Sequence, residues 1–250
     1  MVSNLGDILI LSALAGSATG LGGLIVVLKR PGRKLLGFLM GFAAGIMIIL
    51  AFLELVGEAV NMSGLFSAAL GFVAGSLIMF SLDFLLPHTY FSVDEKCVTE
   101  GKFLRSGMLI AIGISLHNFP EGIAVASGYS YIPRLGLVLA VAMAIHNIPE
   151  GMAIALPLCA GGFSKWVAFR SALVSGLAEP LGALFAALFL ENIPSLVPFG
   201  LAFAGGVMVF VTLDELIPVA HESGHEHFTS LGVIIGCIAT FILLGAIPLR

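Results

Sequence analysis

Long apolar runs, each broken by a charge, a proline or a glycine cluster, recur from one end of the chain to the other. They fall near residues 5–28, 35–60, 64–86, 105–128, 134–158, 166–190, 196–220 and 228–248. A helix that crosses the hydrocarbon core of a bilayer needs about 20 apolar residues. Every run reaches that length. The pattern therefore predicts an all-α, polytopic membrane protein of eight transmembrane helices, with residues 1–250 forming a single transmembrane domain. The first run has no basic segment ahead of it and is too long for a signal sequence, so it is expected to be a retained helix.

Composition agrees with lipid as the solvent. Hydrophobic residues make up 59% of the chain and charged ones 10%, against about 45–50% and about 25% in ordinary soluble domains. The basic residues are unevenly placed. Lys29, Arg30, Arg33 and Lys34 lie between runs 1 and 2, Lys96, Lys102 and Arg105 between runs 3 and 4, and Lys165 and Arg170 between runs 5 and 6. Nine of the eleven thus fall on one side, leaving Arg134 and Arg250 on the other. Cytoplasmic links carry such an excess. The expected placement is a cell (inner) membrane with both termini on the extracytoplasmic side. No clustered basic face suggests nucleic acid. Cys97, Cys159 and Cys237 are odd in number and far apart, which argues against a disulfide framework.

Two internal repeats add direction. Gly45-Ile46-Met47…Glu54-Leu55 in run 2 matches Gly206-Val207-Met208…Glu215-Leu216 in run 7. His117-Asn118-Phe119-Pro120-Glu121-Gly122 in run 4 matches His146-Asn147-Ile148-Pro149-Glu150-Gly151 in run 5. In each pair one run is even-numbered and its mate odd, so the copies cross the bilayer in opposite directions. An inverted 3+2+3 repeat follows, with runs 1–3 mirrored by 6–8 and a site near the midplane between runs 4 and 5.

The chemistry concentrates there. His117 and Glu121 are four residues apart and share one helix face, and Asn118 is close enough to Glu121 for the carboxylate to serve either neighbour. Pro120 has no amide donor and crowds the carbonyl of Leu116, opening space beside these groups. His146, Asn147, Pro149 and Glu150 repeat the device. Imidazole suits zinc, iron, copper and nickel, while oxygen donors extend the range to manganese. So many donors could hold two ions bridged by Glu121 and Glu150.

Other residues extend the reading. Glu179, followed by Pro180, is a third intramembrane carboxylate, and such groups face a cavity or a partner. Asp83 and His88 close run 3 on the predicted cytoplasmic side, where Asp214 and Glu215 of run 7 also fall, and together they could relay an ion outward from the site. Glu54 and Glu58 lie toward the external end of run 2, where acidic groups would concentrate cations. Met47 is a soft candidate ligand, although methionine is also a routine packing residue. His221, His225 and His227 give the link between runs 7 and 8 the character of a metal-collecting or sensing tract, or of a solvated turn.

In these motifs the sequence resembles the ZIP (Zrt/Irt-like) family of metal-ion transporters, in its bacterial GufA-like branch. The paired His-Asn-x-Pro-Glu-Gly segments carry the resemblance, supported by Glu179-Pro180, by Asp214-Glu215-Leu216-Ile217-Pro218 and by the histidine-rich link. It implies eight helices in inverted 3+2+3 order, a binuclear midplane site and movement of zinc or related ions toward the cytoplasm. It implies ligand roles for His117, Asn118, Glu121, His146, Asn147, Glu150, Glu179 and Met47, and exit roles for Asp83, His88, Asp214 and Glu215. Some members carry Gln or Asp in the second motif where this chain has His146 and Asn147, one charge fewer.

The leading expectation is a transporter of divalent transition-metal ions, zinc foremost and also cadmium, iron or manganese. The ion is cargo, and no catalytic cofactor is expected. Glycine- and alanine-rich faces are compatible with a homodimer. The rival is an intramembrane metal-dependent hydrolase with Glu121 or Glu150 as general base. It is weakened by a donor set that leaves no open coordination position and by the lack of a His-Glu-x-x-His arrangement. A metal-sensing receptor is a third reading, without a signalling domain to support it.

Overall fold

The computed structural model describes residues 4–85, 100–190, 193–223 and 226–247. Eight helical segments account for almost all of them: α1 (Leu5–Leu28), α2 (Arg33–Ser63), α3 (Leu65–Leu85), α4 (Glu100–Tyr131), α5 (Pro133–Ala160), α6 (Lys165–Phe189), α7 (Val197–Glu222) and α8 (Glu226–Ala246). Seven are long and apolar enough to cross a membrane, and α4, at 32 residues, runs among them. No strand occurs among the described residues.

Local sequence sets the ends. A left-handed glycine, Gly64, separates α2 from α3, and Gly162 plays the same part after α5. Pro133 stands in the first turn of α5, where its missing donor costs nothing. Ser164 caps α6 by accepting the Val167 amide at 3.2 Å. Two matched helices contain a wider, π-type turn: Leu50–Val56 in α2 and Thr212–Leu216 in α7.

Among the seven spanning helices other than α4, burial grades outward from α5, the most enclosed, to α3 and α8, the least enclosed. Leu65, Phe66, Phe84, Leu85 and Ile242 are largely exposed. Those surfaces are what hydrocarbon accepts at no cost, so burial of apolar area does not hold such helices together. Close packing does, and small residues permit it.

Glycines show where. A Cβ on Gly16 would overlap the carbonyl of Gly176, and one on Gly176 would overlap that of Gly16, so α1 and α6 touch backbone to backbone. On α8, Gly232 and Gly236 meet the Phe38 and Phe42 carbonyls of α2. On α3, Gly75 meets the Phe203 carbonyl of α7, and Gly71 lies 3.0 Å (as a Cβ position) from that of Phe199. Gly232 and Gly236 stand 161 residues after Gly71 and Gly75, as Gly206 stands after Gly45.

The contacts divide the helices into two sets. One comprises α1, α4, α5 and α6; the other pairs α2 with α8 and α3 with α7. Between the sets, α4 meets α7 and α2 meets α5, each less extensively than α1 meets α5, α4 meets α5 or α6, α2 meets α8, or α3 meets α7. An apolar groove of about 380 Å³ lies on this boundary, bordered by Ile78, Phe119, Pro120, Phe185, Phe199 and Phe203.

Candidate metal site

The α4 and α5 motifs face each other deep in the first set. His117, Asn118, Glu121, His146, Asn147, Glu150 and Glu179 are all between 0 and 2% exposed, which puts three carboxylates and two imidazoles out of reach of solvent. His146 Nε2 is 3.0 Å from Glu121 Oε1, and His117 Nε2 is 3.3 Å from Glu150 Oε2. Each histidine therefore pairs with the glutamate of the opposite helix. Donor atoms of Glu121, His146 and Glu150 lie within 4.8 Å of one another, close enough for one ion to reach all three.

Glycine in each motif explains the closeness. A Cβ on Gly122 would overlap the Glu179 carbonyl, and one on Gly151 would overlap the Thr19 carbonyl. In return, Gly182 of α6 meets the Phe119 carbonyl, and Gly22 of α1 meets that of Ile148. The residue after each glutamate thus lets a neighbouring helix press in behind the ligand face.

Backbone carbonyls orient the side chains. His146 Nδ1 is 3.1 Å from the Ala142 carbonyl. A carbonyl can only accept, so Nδ1 carries the proton and Nε2 is turned to the cluster, the arrangement typical of a metal-binding imidazole. Asn147 Nδ2 donates to the Ala15 carbonyl at 3.0 Å and to Glu179 Oε2 at 2.9 Å. Asn118 Nδ2 donates to the Ser175 carbonyl at 3.3 Å. Both amides are held by their nitrogen, which leaves both Oδ1 atoms for something else.

That something is missing among the protein groups. Among the described residues twelve buried side-chain N and O atoms make no hydrogen bond, and eight belong to His117, Asn118, Glu121, Asn147, Glu150 and Glu179; of these, His117 Nε2 and Glu150 Oε2 have their ion pair with each other, which leaves six with no partner. An unsatisfied buried polar atom costs about 1–3 kcal/mol, more when charged. Six of them in one cluster could be satisfied together by a bound cation. A divalent cation with nitrogen and oxygen coordination satisfies that donor set.

The remaining sequence-selected residues are more dispersed. Met47 is fully buried, and its sulfur accepts the Thr212 hydroxyl at 3.7 Å. Glu215, on the wide turn of α7, has its carboxylate 3.9 Å from where a Cβ on Gly113 would sit, one turn before His117. It lies within electrostatic reach of His117, Glu150, Asp83 and Asp214. Asp83 is buried, and Asp214 is half-buried. Glu54 is buried on the wide turn of α2 with Oε2 unpartnered, beside the half-buried Glu58. His221 and His227 are exposed at the ends of α7 and α8. His88 and His225 lie outside the described residues. The structure adds the Ala15, Ala142 and Ser175 carbonyls as anchors, which no sequence signal marks because every residue has one.

A family model described as ZIP zinc transporter matches residues 92–244. The chain belongs to the ZIP family. It is 44% identical over 231 residues to the zinc transporter ZTP29 of Arabidopsis thaliana, covering 85% of this chain and 84% of that one. It is 38% identical to the zinc transporter ZupT of Streptococcus mutans, over 94% and 95% of the two chains. Against ZupT of Enterobacter sp. the figures are 40%, 91% and 92%. As a ZIP member, the protein is a multi-pass membrane transporter of metal ions and not an enzyme, and the hydrolase reading is set aside.

Proposed function

We propose that the protein moves divalent zinc into the cytoplasm through the buried α4/α5/α6 cluster, with cadmium, iron and manganese as possible further cargo. One observation carries this: the donor atoms of Glu121, His146 and Glu150 lie within 4.8 Å of one another, and six buried polar atoms of the facing motifs and Glu179 have no protein partner. Zinc is named because imidazole and carboxylate together suit it and because the relatives ZTP29 and ZupT are zinc transporters by name.

In this reading His117, Asn118, Glu121, His146, Asn147, Glu150 and Glu179 are ligands, sufficient for two ions that share Glu121 and Glu150. Met47 adds a sulfur at the boundary between the helix sets. Glu54 and Glu58 gather cations at the outer mouth, and Glu215, Asp214, Asp83 and His88 receive them on the inner side. His221, His225 and His227 stand at the inner surface. Residues 1–250 act as one transport domain in a cell membrane, with both termini outside and room for a homodimer on the exposed apolar faces of α3 and α8. We further read α1–α3 and α6–α8 as inverted copies, supported by the constant 161-residue spacing of the glycines between α3 and α8. Alternating access then follows from the α1/α4/α5/α6 set moving against the other, whose contacts with it are leaner.

The test is zinc uptake into proteoliposomes by wild type, His117→Ala and Glu121→Gln. Wild-type flux that falls at least tenfold in both variants supports the reading. Flux unchanged in both variants rejects it.

A further inference from the structure

Helix α1 packs against both α5 and α6 beside the cluster. Gly16 and Gly22 of α1 stand 160 residues before Gly176 and Gly182 of α6, and Thr19 stands the same distance before Glu179. The contacts repeat with the numbering. Gly122 of α4 presses on the Glu179 carbonyl, and Gly151 of α5 presses on the Thr19 carbonyl. Thr19 therefore occupies, against α5, the place that Glu179 occupies against α4.

The Thr19 side chain is fully buried, and its hydroxyl has no hydrogen-bond partner. Among the described residues the buried hydroxyls of Ser127 and Thr229 share that state. Ser12, Thr212 and Thr240 each donate to the carbonyl four residues earlier, at 2.9, 2.7 and 2.9 Å. For Thr19 that carbonyl is Ala15, and it already accepts the Asn147 amide at 3.0 Å. The ligand-bearing amide has taken the acceptor the hydroxyl would use. The freed Oγ1 lies 3.0 Å from where a Cβ on Gly176 would sit. That glycine follows Ser175, whose carbonyl anchors Asn118. Thr19 Oγ1 thus faces α6 next to the residue that anchors Asn118, and the Oδ1 atoms of Asn118 and Asn147 are unpartnered like it.

We infer that the Thr19 hydroxyl is a neutral oxygen ligand for the transported cation, contributed by α1 as the counterpart of Glu179. The inference rests on the transport reading above and deepens it. A hydroxyl oxygen is a hard donor, so it favours zinc and manganese over the softer cadmium. It also leaves one side of the site uncharged, which keeps binding weak enough for release.

The test compares purified wild type, Thr19→Val and Thr19→Ser in detergent and in zinc-loaded proteoliposomes. Valine keeps the shape and removes the oxygen, while serine keeps the oxygen. The expected result is a zinc dissociation constant roughly tenfold weaker in Thr19→Val and near wild type in Thr19→Ser, the worth of one such interaction. Cadmium affinity should change less than zinc affinity. The metal-free Thr19→Val protein should melt at or above the wild-type temperature, because an unsatisfied buried hydroxyl has been removed. Its zinc-induced rise in melting temperature should be smaller. Wild-type zinc affinity in Thr19→Val overturns the inference, and so does equal loss in the serine variant, which would mark a packing role. Glu121→Gln in the same series separates the two levels. If it too binds and carries zinc normally, the transport site itself is misassigned; if it fails while Thr19→Val is normal, only the role of Thr19 falls.

Discussion

Asn147 donates its amide to Glu179 at 2.9 Å, across the contact between α5 and α6, and the same nitrogen holds the Ala15 carbonyl of α1. One side chain thereby ties three helices together and fixes where the Glu179 carboxylate points. Asn147→Asp would remove the donor and set two carboxylates against each other. We expect the metal-free variant to lose about 2–3 kcal/mol, the scale of a buried hydrogen bond to a charged group, and zinc to restore much of it. Thermal melts with and without zinc check this; a gap no wider than that of wild type contradicts it.

Zinc should stabilise the protein through the same donors. A ligand at 100 times its dissociation constant adds about 2.7 kcal/mol to the folded state. The rise should vanish on adding a chelator and should be largely absent in His146→Ala, which lacks the nitrogen held at 3.0 Å from Glu121. Differential scanning fluorimetry provides the measurement.

The motif glycines should be intolerant of a single methyl group. Gly122→Ala and Gly151→Ala each drive a Cβ into a neighbouring carbonyl. Overpacking of this kind costs about 1–3 kcal/mol. Gly6→Ala, with nothing within 4 Å of the added carbon, should be neutral or stabilising. Equal melting temperatures in all three would show that the helices are not as tightly opposed as described.

Met47 offers a test of cargo preference. Met47→Leu nearly conserves volume and should fold normally, since Thr212 keeps its 2.7 Å bond to the Met208 carbonyl. Removing a polarisable sulfur should depress cadmium transport relative to zinc by several-fold. Competition uptake with both ions in one vesicle preparation gives the ratio directly, and an unchanged ratio removes Met47 from the ligand set.

What the sequence determined by itself was the solvent, the helix count and the chemistry of the centre. Apolar runs of bilayer length can be stable only as helices, because lipid offers the backbone no other hydrogen-bond partner. The duplicated His-Asn-x-Pro-Glu-Gly segment marked the residues that meet at the centre. Tertiary structure alone decided which atoms meet: that His146 pairs with Glu121 and His117 with Glu150, and that Ala142, Ala15 and Ser175 carbonyls set the ring and amide orientations. It also freed the Thr19 hydroxyl, because the carbonyl it would use belongs to Asn147. Such relationships depend on carbonyls that every residue carries and on glycines whose neighbours come from distant helices, so no local pattern of side chains encodes them.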